Sequence, residues 1–197
     1  MTSDVSRTRS AVEAARIDAE DGEPRSRALR LALALARLSI GWVFLWAFFD
    51  KLLALGVATS RDQETGVVDW FGPTAWINGG SPTEGFLGNA TKGPLAGLYS
   101  SFAGAAWADW LFMAGLLGIG AGLMLGIAMR LSCGFGALLL LLMWSAALPP
   151  DNNPFMDDHI VYALVLVALA LAHAGRTLGL GRLWEQLPVV QSVPLLR

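Results

Sequence analysis

The chain has 197 residues, 54% of them hydrophobic and 15% charged, with a formal net charge of −2. This departs from the soluble average toward a membrane protein, and no nucleic-acid partner is expected. The single cysteine, Cys133, excludes an intramolecular disulfide and a CxxC redox pair.

Residues 1–27 are rich in Arg, Ser, Glu and Asp, and cannot bury enough apolar surface to offset the entropy of ordering; they read as a disordered cytoplasmic tail. A first apolar run follows at roughly 28–57, near the ~20 residues that cross ~30 Å of hydrocarbon. Arg25, Arg27 and Arg30 precede it as a signal-peptide n-region would. The run is too long for a signal core and no small-x-small cleavage site follows, so it is expected to remain as an anchor. Arg37, Gly41, Phe44, Phe48 and Lys51 share one helical stripe, which turns Arg37 into the interior. Its alternatives are pairing with backbone carbonyls or contact with an anion or a quinone headgroup.

About fifty residues separate the first and second spans, more than a tight connection needs, so this loop is expected to be structured. "DWFGPTAWINGGSPTEG" is rich in turn signals, and "PLAGLYSSFAGAAW" has helical spacing with Tyr99, Phe102 and Ala106 roughly in line. Trp70, Trp76, Tyr99, Trp107 and Trp110 would sit at headgroup depth. The second span is expected at about 107–129, with Asp109 near its start. Its Gly118, Gly122 and Gly126 recur every four residues, a stripe suited to close helix approach. The third span is expected at about 131–148, where Cys133 is a small packing residue.

The segment "PPDNNPFMDDHIVYALVLVALALAHAG" opens the fourth span, expected at about 154–175. Asn153 followed by Pro154 reads as a cap and a first helical position. Asp157 and Asp158 then fall where the helix dipole favours anions. Ala163, Val167, Ala170 and Ala174 form a narrow packing stripe, and His173 reads as a helix-end residue. The last residues, 189–197, read as a second cytoplasmic tail.

Six arginines precede the first span, Arg130 sits between the second and third, and Arg176, Arg182 and Arg197 follow the fourth, whereas residues 149–158 hold no Lys or Arg. By the positive-inside rule both termini face the cytoplasm. The expected architecture is all-α: a four-helix transmembrane bundle, N-in and C-in, with a long structured outer loop between helices 1 and 2. Its expected location is the bacterial cytoplasmic membrane, with multiple passes through the lipid bilayer.

The candidate site lies at the outer mouth. Lys51 ends the first span, Asp109 begins the second, and Asp158, His159 and Tyr162 share the opening of the fourth. Ionisable groups near hydrocarbon are costly and usually face one another or a wet cavity. Lys51, Asp109, Asp158 and His159 are therefore candidate catalytic residues, with His159 as proton carrier. Tyr162, Trp107, Trp110 and Arg37 are candidates for holding a quinone or similar ligand. The plainer alternative makes them interface anchors and ion pairs that set helix height. Two histidines fourteen residues apart on one helix form no metal ligand set, and no nucleotide-binding fingerprint occurs.

"RLSIGWVFLWAFFDKLLALG" at 37–56, "GFLGNATKGPLAGLYSSFAG" at 85–104 and "NPFMDDHIVYALVLVALALAHAGRTLGLGRLWEQLP" at 153–188 together resemble the DoxX/DoxD family of small four-helix membrane proteins, in its actinobacterial form. The resemblance spans about residues 30–188, within a four-helix membrane domain expected at 28–188. It implies kinship with the DoxD subunit of thiosulfate:quinone oxidoreductase, with quinone as cofactor and a DoxA-like protein or respiratory complex as redox partner. A non-catalytic membrane subunit that docks such a partner is the alternative. Homo-oligomerisation is a further expectation.

Overall fold

The computed structural model describes residues 26–62, 64–89, 91–150 and 153–196. Most of the expected N-terminal tail therefore lies outside the described residues, as do Asp151 and Asn152. The chain divides into two units, Met1–Arg30 and Leu31–Arg197. What is described of the first is a helix opening, where Ser26 Oγ accepts from the backbone N–H of Leu29 at 3.2 Å and satisfies one of the donors a helix start leaves free.

Among the described residues every secondary-structure element is a helix, with turns and loops between them and one isolated antiparallel bridge between Arg61 and Val68. Helix α1 runs Arg27–Leu53, α2 Pro82–Asn89, α3 Ala96–Ser100, α4 Ala106–Leu125, α5 Met129–Ala146, α6 Asp158–Leu171, α7 Gly181–Trp184 and α8 Pro188–Ser192. Three of them, α1, α4 and α5, are long and apolar enough to cross a membrane. Their exposed apolar side chains, such as Leu35, Trp42, Leu111, Leu117, Phe135 and Leu138, suit a hydrocarbon surround, and these three helices point to a membrane protein.

Helix α6 is shorter than the expected fourth span. Its 14 residues extend about 21 Å at ~1.5 Å per residue, less than the ~30 Å of hydrocarbon. It starts at Asp158 because Asp157, not Asn153, is the N-cap, its side chain accepting from the N–H groups of His159 and Ile160. Asn153 caps a tighter turn instead, its Oδ1 accepting from Phe155 and Met156 N–H, each at 3.0 Å. Helix α6 stops early because His173 adopts a left-handed backbone (φ 49°) and a 3₁₀ turn follows at Ala174–Arg176.

One core joins the long helices. It is built from Ile40, Phe44 and Phe48 of α1, Met113, Leu116, Ile119 and Leu123 of α4, Met129, Cys133 and Leu140 of α5, and Ala163, Leu166 and Leu169 of α6. Small residues set the closest approaches, and the expected stripe takes part at two of its three positions: a Cβ on Gly122 would run into Ser132 Oγ of α5, and one on Gly126 would stand 2.8 Å from Gly175 O. A Cβ on Gly120 would stand 2.8 Å from Leu45 Cγ and 2.9 Å from its backbone nitrogen, and one on Gly41 would stand 3.0 Å from Leu123 Cβ. Gly118 instead faces open space. The α1–α4 contact runs along Gly120 and Leu123, one helical face away from the Gly118 position. On α6 the buried face is Ala163, Leu166 and Leu169, while Val167 is exposed.

The 54–105 segment is structured at the end of the molecule where α1 finishes and α4 begins, hereafter the loop end. Ser81-Pro82-Thr83-Glu84 has the sequence of a capping box, and Ser81 supplies its cap: Ser81 Oγ accepts from Glu84 N–H at 3.1 Å, and Pro82 stands at the first position of α2, where a missing N–H costs nothing.

Candidate functional site

Three buried or half-buried acids organise the loop end, each by holding backbone. Asp50, 1% exposed, accepts from Val57 N–H (3.0 Å) and Ala58 N–H (3.1 Å), turning the chain back over the end of α1. Asp109, 6% exposed, receives three bonds on one oxygen: Ser81 Oγ at 2.9 Å, Thr83 N–H at 2.9 Å and Thr83 Oγ1 at 2.6 Å. Thr83 Oγ1 in turn accepts from Gly104 N–H at 3.2 Å. One carboxylate in the first turn of α4 thus fastens the start of α2, and through Thr83 the turn that precedes α4. Asp157 splits its two oxygens, one capping α6 and the other 2.7 Å from Nδ1 of His159. That bond fixes the His159 ring and leaves Nε2 as the nitrogen with a free role.

Among the described residues no hydrogen bond or ion pair joins Lys51, Asp109, Asp158 and His159 to one another. The Lys51 ammonium stands 6.0 Å from the centroid of the Phe112 ring, a cation–π arrangement. Asp158 and Tyr162 are exposed on α6. Trp110 packs edge-on against Trp76, centroids 4.7 Å apart. Among the described residues no group of three His, Cys, Asp or Glu side chains converges as a metal site.

Arg37 lies at the opposite end of the core and is fully buried. Its Nη1 donates to the carbonyls of Leu123 and Met124 (3.0 Å to the latter), and its Nη2 to those of Thr177 (3.2 Å) and Leu178 (2.8 Å). Nε is buried without a partner. The last carbonyls of α4 are exactly the acceptors a helix end leaves unmatched, and here they are matched from outside. Gly122 O takes Gly126 and Ile127 N–H, Leu123 and Met124 O take Arg37, and Leu125 O takes Leu180 N–H at 2.7 Å. A cation at the negative end of the helix dipole adds to the effect. Of the two roles open for Arg37 in the sequence, carbonyl pairing is the one its contacts serve.

A cavity of about 550 Å³ opens on the flank of α4 and α5, roofed by α2 and α3. Its walls are almost wholly apolar and include Phe86, Tyr99, Phe102, Trp107, Phe112 and Phe135. Tyr99 is held by a 2.6 Å bond between its hydroxyl and Ser145 Oγ. Ser145 Oγ also donates to Leu142 O at 2.9 Å. A serine hydroxyl has one proton, so in this arrangement Tyr99 donates to Ser145.

The cavity draws several candidates together. Trp107 lines it, Asp109 reaches it through Thr83, and Lys51 touches it through Phe112. Asp158, His159 and Tyr162 belong to α6, which contributes no lining residue, and Arg37 lies at the far end. Sequence reading missed Thr83, Ser145 and Asp157 as site-forming residues. The capping box at Ser81–Glu84 was the available signal for α2 and hence for the roof. No protein-family model, curated protein or solved structure matches the chain.

Proposed function

We propose that this protein is a multi-pass redox-associated protein of the bacterial cytoplasmic membrane that binds a quinone in the flank cavity and takes part in quinone-linked oxidation of thiosulfate or a related sulfur species at the outer face. In this reading α6 and its flanks complete a four-span bundle and both termini are cytoplasmic. The observation that carries the proposal is the apolar, aromatic-walled cavity of about 550 Å³ beside two membrane-length helices, the size and lining usual for small-ligand sites. The DoxX/DoxD resemblance supports the sulfur substrate.

The residues fit the group. Six aromatic rings offer stacking and edge contacts to a flat ring, and the exposed Leu138 and Leu142 at the cavity wall leave room for a prenyl tail to run into lipid. Tyr99 and Ser145 form a pair that can reverse its protons. With Ser145 donating to Leu142 O, the Tyr99 oxygen can accept from a ligand hydroxyl. With Ser145 turned toward Tyr99, the tyrosine proton is available to a ligand carbonyl. Bound here, a quinone would take up two electrons and two protons. Joining two thiosulfates through one new S–S bond, as tetrathionate, releases those two electrons. Lys51, near Phe112, places a positive charge where a sulfur anion could approach, and the Asp157-held His159 would exchange protons at the same end.

A second reading, a non-catalytic membrane module docking a redox partner or respiratory complex, draws on the structural work already done by Asp109 and Asp157. The experiment is quinone binding and thiosulfate-dependent quinone reduction by purified protein in nanodiscs. Wild type should retain a quinone analogue; Gly115→Trp, which fills the cavity, should not. Tyr99→Phe should weaken binding by about 1 kcal/mol, one neutral hydrogen bond. Binding with no reduction that His159→Ala or Lys51→Ala can lower would favour the docking module, and equal retention by Gly115→Trp would remove the cavity reading.

A further inference from the structure

Residues 172–196 follow α6 and end in two short helices and a 3₁₀ turn at Pro194–Leu196. Part of this stretch was expected to be a tail, yet it is tied down throughout. Arg37 holds the carbonyls of Thr177 and Leu178, and Leu180 N–H bonds Leu125 O at 2.7 Å. Glycine allows the close passage: a Cβ on Gly179 would stand 2.7 Å from Gly175 O and 3.0 Å from Leu125 O, and one on Gly181 would stand 2.8 Å from Gly126 O. Further on, Trp184 Nε1 donates to Leu196 O at 2.6 Å, Arg176 pairs with Glu185 at 2.9 Å, and Val190 is fully buried.

These bonds fix the height of the segment. Leu180 is hydrogen-bonded to the last residue of α4, a helix of membrane-crossing length, so with α4 across a bilayer the segment would lie at the edge of the hydrocarbon. At that height it exposes aliphatic side chains in quantity: Leu178 57%, Leu183 63%, Val189 56% and Leu195 58%, with Leu180 and Leu187 close behind. A soluble surface seldom carries so many together. The charge balance is cationic. Arg176 and Arg182 face one acid, Glu185, which Arg176 already engages.

We propose that residues 178–195 form a membrane-surface strap whose exposed aliphatics insert at the headgroup–acyl boundary of an anionic lipid leaflet. The occupant is lipid because the strap is continuous with the lipid-facing ends of α4 and α5 and carries the Arg/Leu pairing of interfacial segments. Arg182, exposed beside Leu183, supplies attraction for anionic headgroups. The inference needs only that α4 crosses the bilayer, and is independent of any ligand in the cavity.

The test uses the full chain with Cys133→Ser, reconstituted in phosphatidylcholine vesicles with and without phosphatidylglycerol. A nitrobenzoxadiazole dye is attached at Leu183→Cys or, as the aqueous reference, at Glu64→Cys; both positions are exposed, so neither change disturbs packing. The dye at 183 should be several-fold less quenched by iodide than the dye at 64, strongly quenched by headgroup-proximal brominated lipid, and better protected with phosphatidylglycerol. Iodide quenching equal at the two positions would overturn the proposal. So would protection at 183 that vanishes on dilution with unlabelled protein, which would assign the surface to a second copy.

Discussion

Replacing Arg37 with methionine tests the account of how α4 ends. The variant keeps most of the aliphatic volume and removes every donor, leaving the carbonyls of Leu123, Met124, Thr177 and Leu178 without partners. An unmatched buried polar group costs about 1–3 kcal/mol, so four would cost on the order of 4 kcal/mol or more. The variant also no longer buries a cation, which offsets part of that loss. Three of the four carbonyls are only partly buried, so the expected net effect is about 3 kcal/mol. For a domain of this size ~1 kcal/mol moves the midpoint by ~2–4 °C, so Arg37→Met should melt about 10 °C below wild type in one mild detergent, followed by intrinsic fluorescence with light scattering. Arg37→Lys keeps the charge as a compact point but loses the planar fork that spans two pairs of carbonyls, and should recover only part of the difference. Melting of Arg37→Met within ~2 °C of wild type would refute the reasoning, since it would mean water or a relaxed backbone satisfies these carbonyls as well as the guanidinium does.

Asp109→Ala removes three hydrogen bonds to a carboxylate, worth about 1.5–3 kcal/mol each before relaxation; protease sensitivity of the 81–104 segment should rise sharply, and Asp109→Asn should fall between. Gly120→Leu forces side-chain atoms into the Leu45 backbone and should cost at least the ~1–3 kcal/mol of an overpacked core, read as loss of monodisperse protein on gel filtration, whereas Gly118→Leu, facing open space, should behave as wild type. The Asp62 carboxyl lies below its ordinary value, first because Thr65 N–H donates to it, then because of the Thr65 hydroxyl and Glu64 N–H. A depressed folded value means the turn's contribution is present above the unfolded value of ~3.9 and is lost as pH falls through the folded one. A carbon-detected NMR titration of this carboxyl should therefore give a midpoint below that of the same group in the unfolded chain, and Asp62→Asn should abolish the titration.

Three of the four expected spans were legible because bilayer thickness imposes a length and a composition that survive in the sequence. The inward turn of Arg37 was legible from its stripe with Gly41, Phe44 and Phe48. Its partners were not, because backbone carbonyls carry no residue signature and two of them lie about 140 positions away. The start of α6 was misplaced because Asn153-Pro154 and Asp157 are rival caps four residues apart. Asp157 prevails where one carboxylate can both cap the helix and hold His159. Gly118 was misassigned for a similar reason: a four-residue glycine spacing marks a face that could pack closely, but the partner helix chooses among such faces. The cavity could not be read at all, since its roof comes from α2 and α3 and its walls from α4 and α5, and none of these segments is unusual alone.

The pairing of Arg37 with residues near both position 124 and position 178 has a consequence for biogenesis. When the first hydrophobic segment leaves the ribosome it carries a guanidinium whose acceptors have not yet been synthesised, at an insertion penalty of about 2.5–3.5 kcal/mol for a basic side chain at mid-membrane. Two carbonyls become available when the second long helix is complete, and the other two only when Thr177 and Leu178 have been made. The first helix therefore cannot settle until Leu178 is made, and chains truncated before Thr177 should be degraded by membrane quality-control proteases although every long hydrophobic helix is intact.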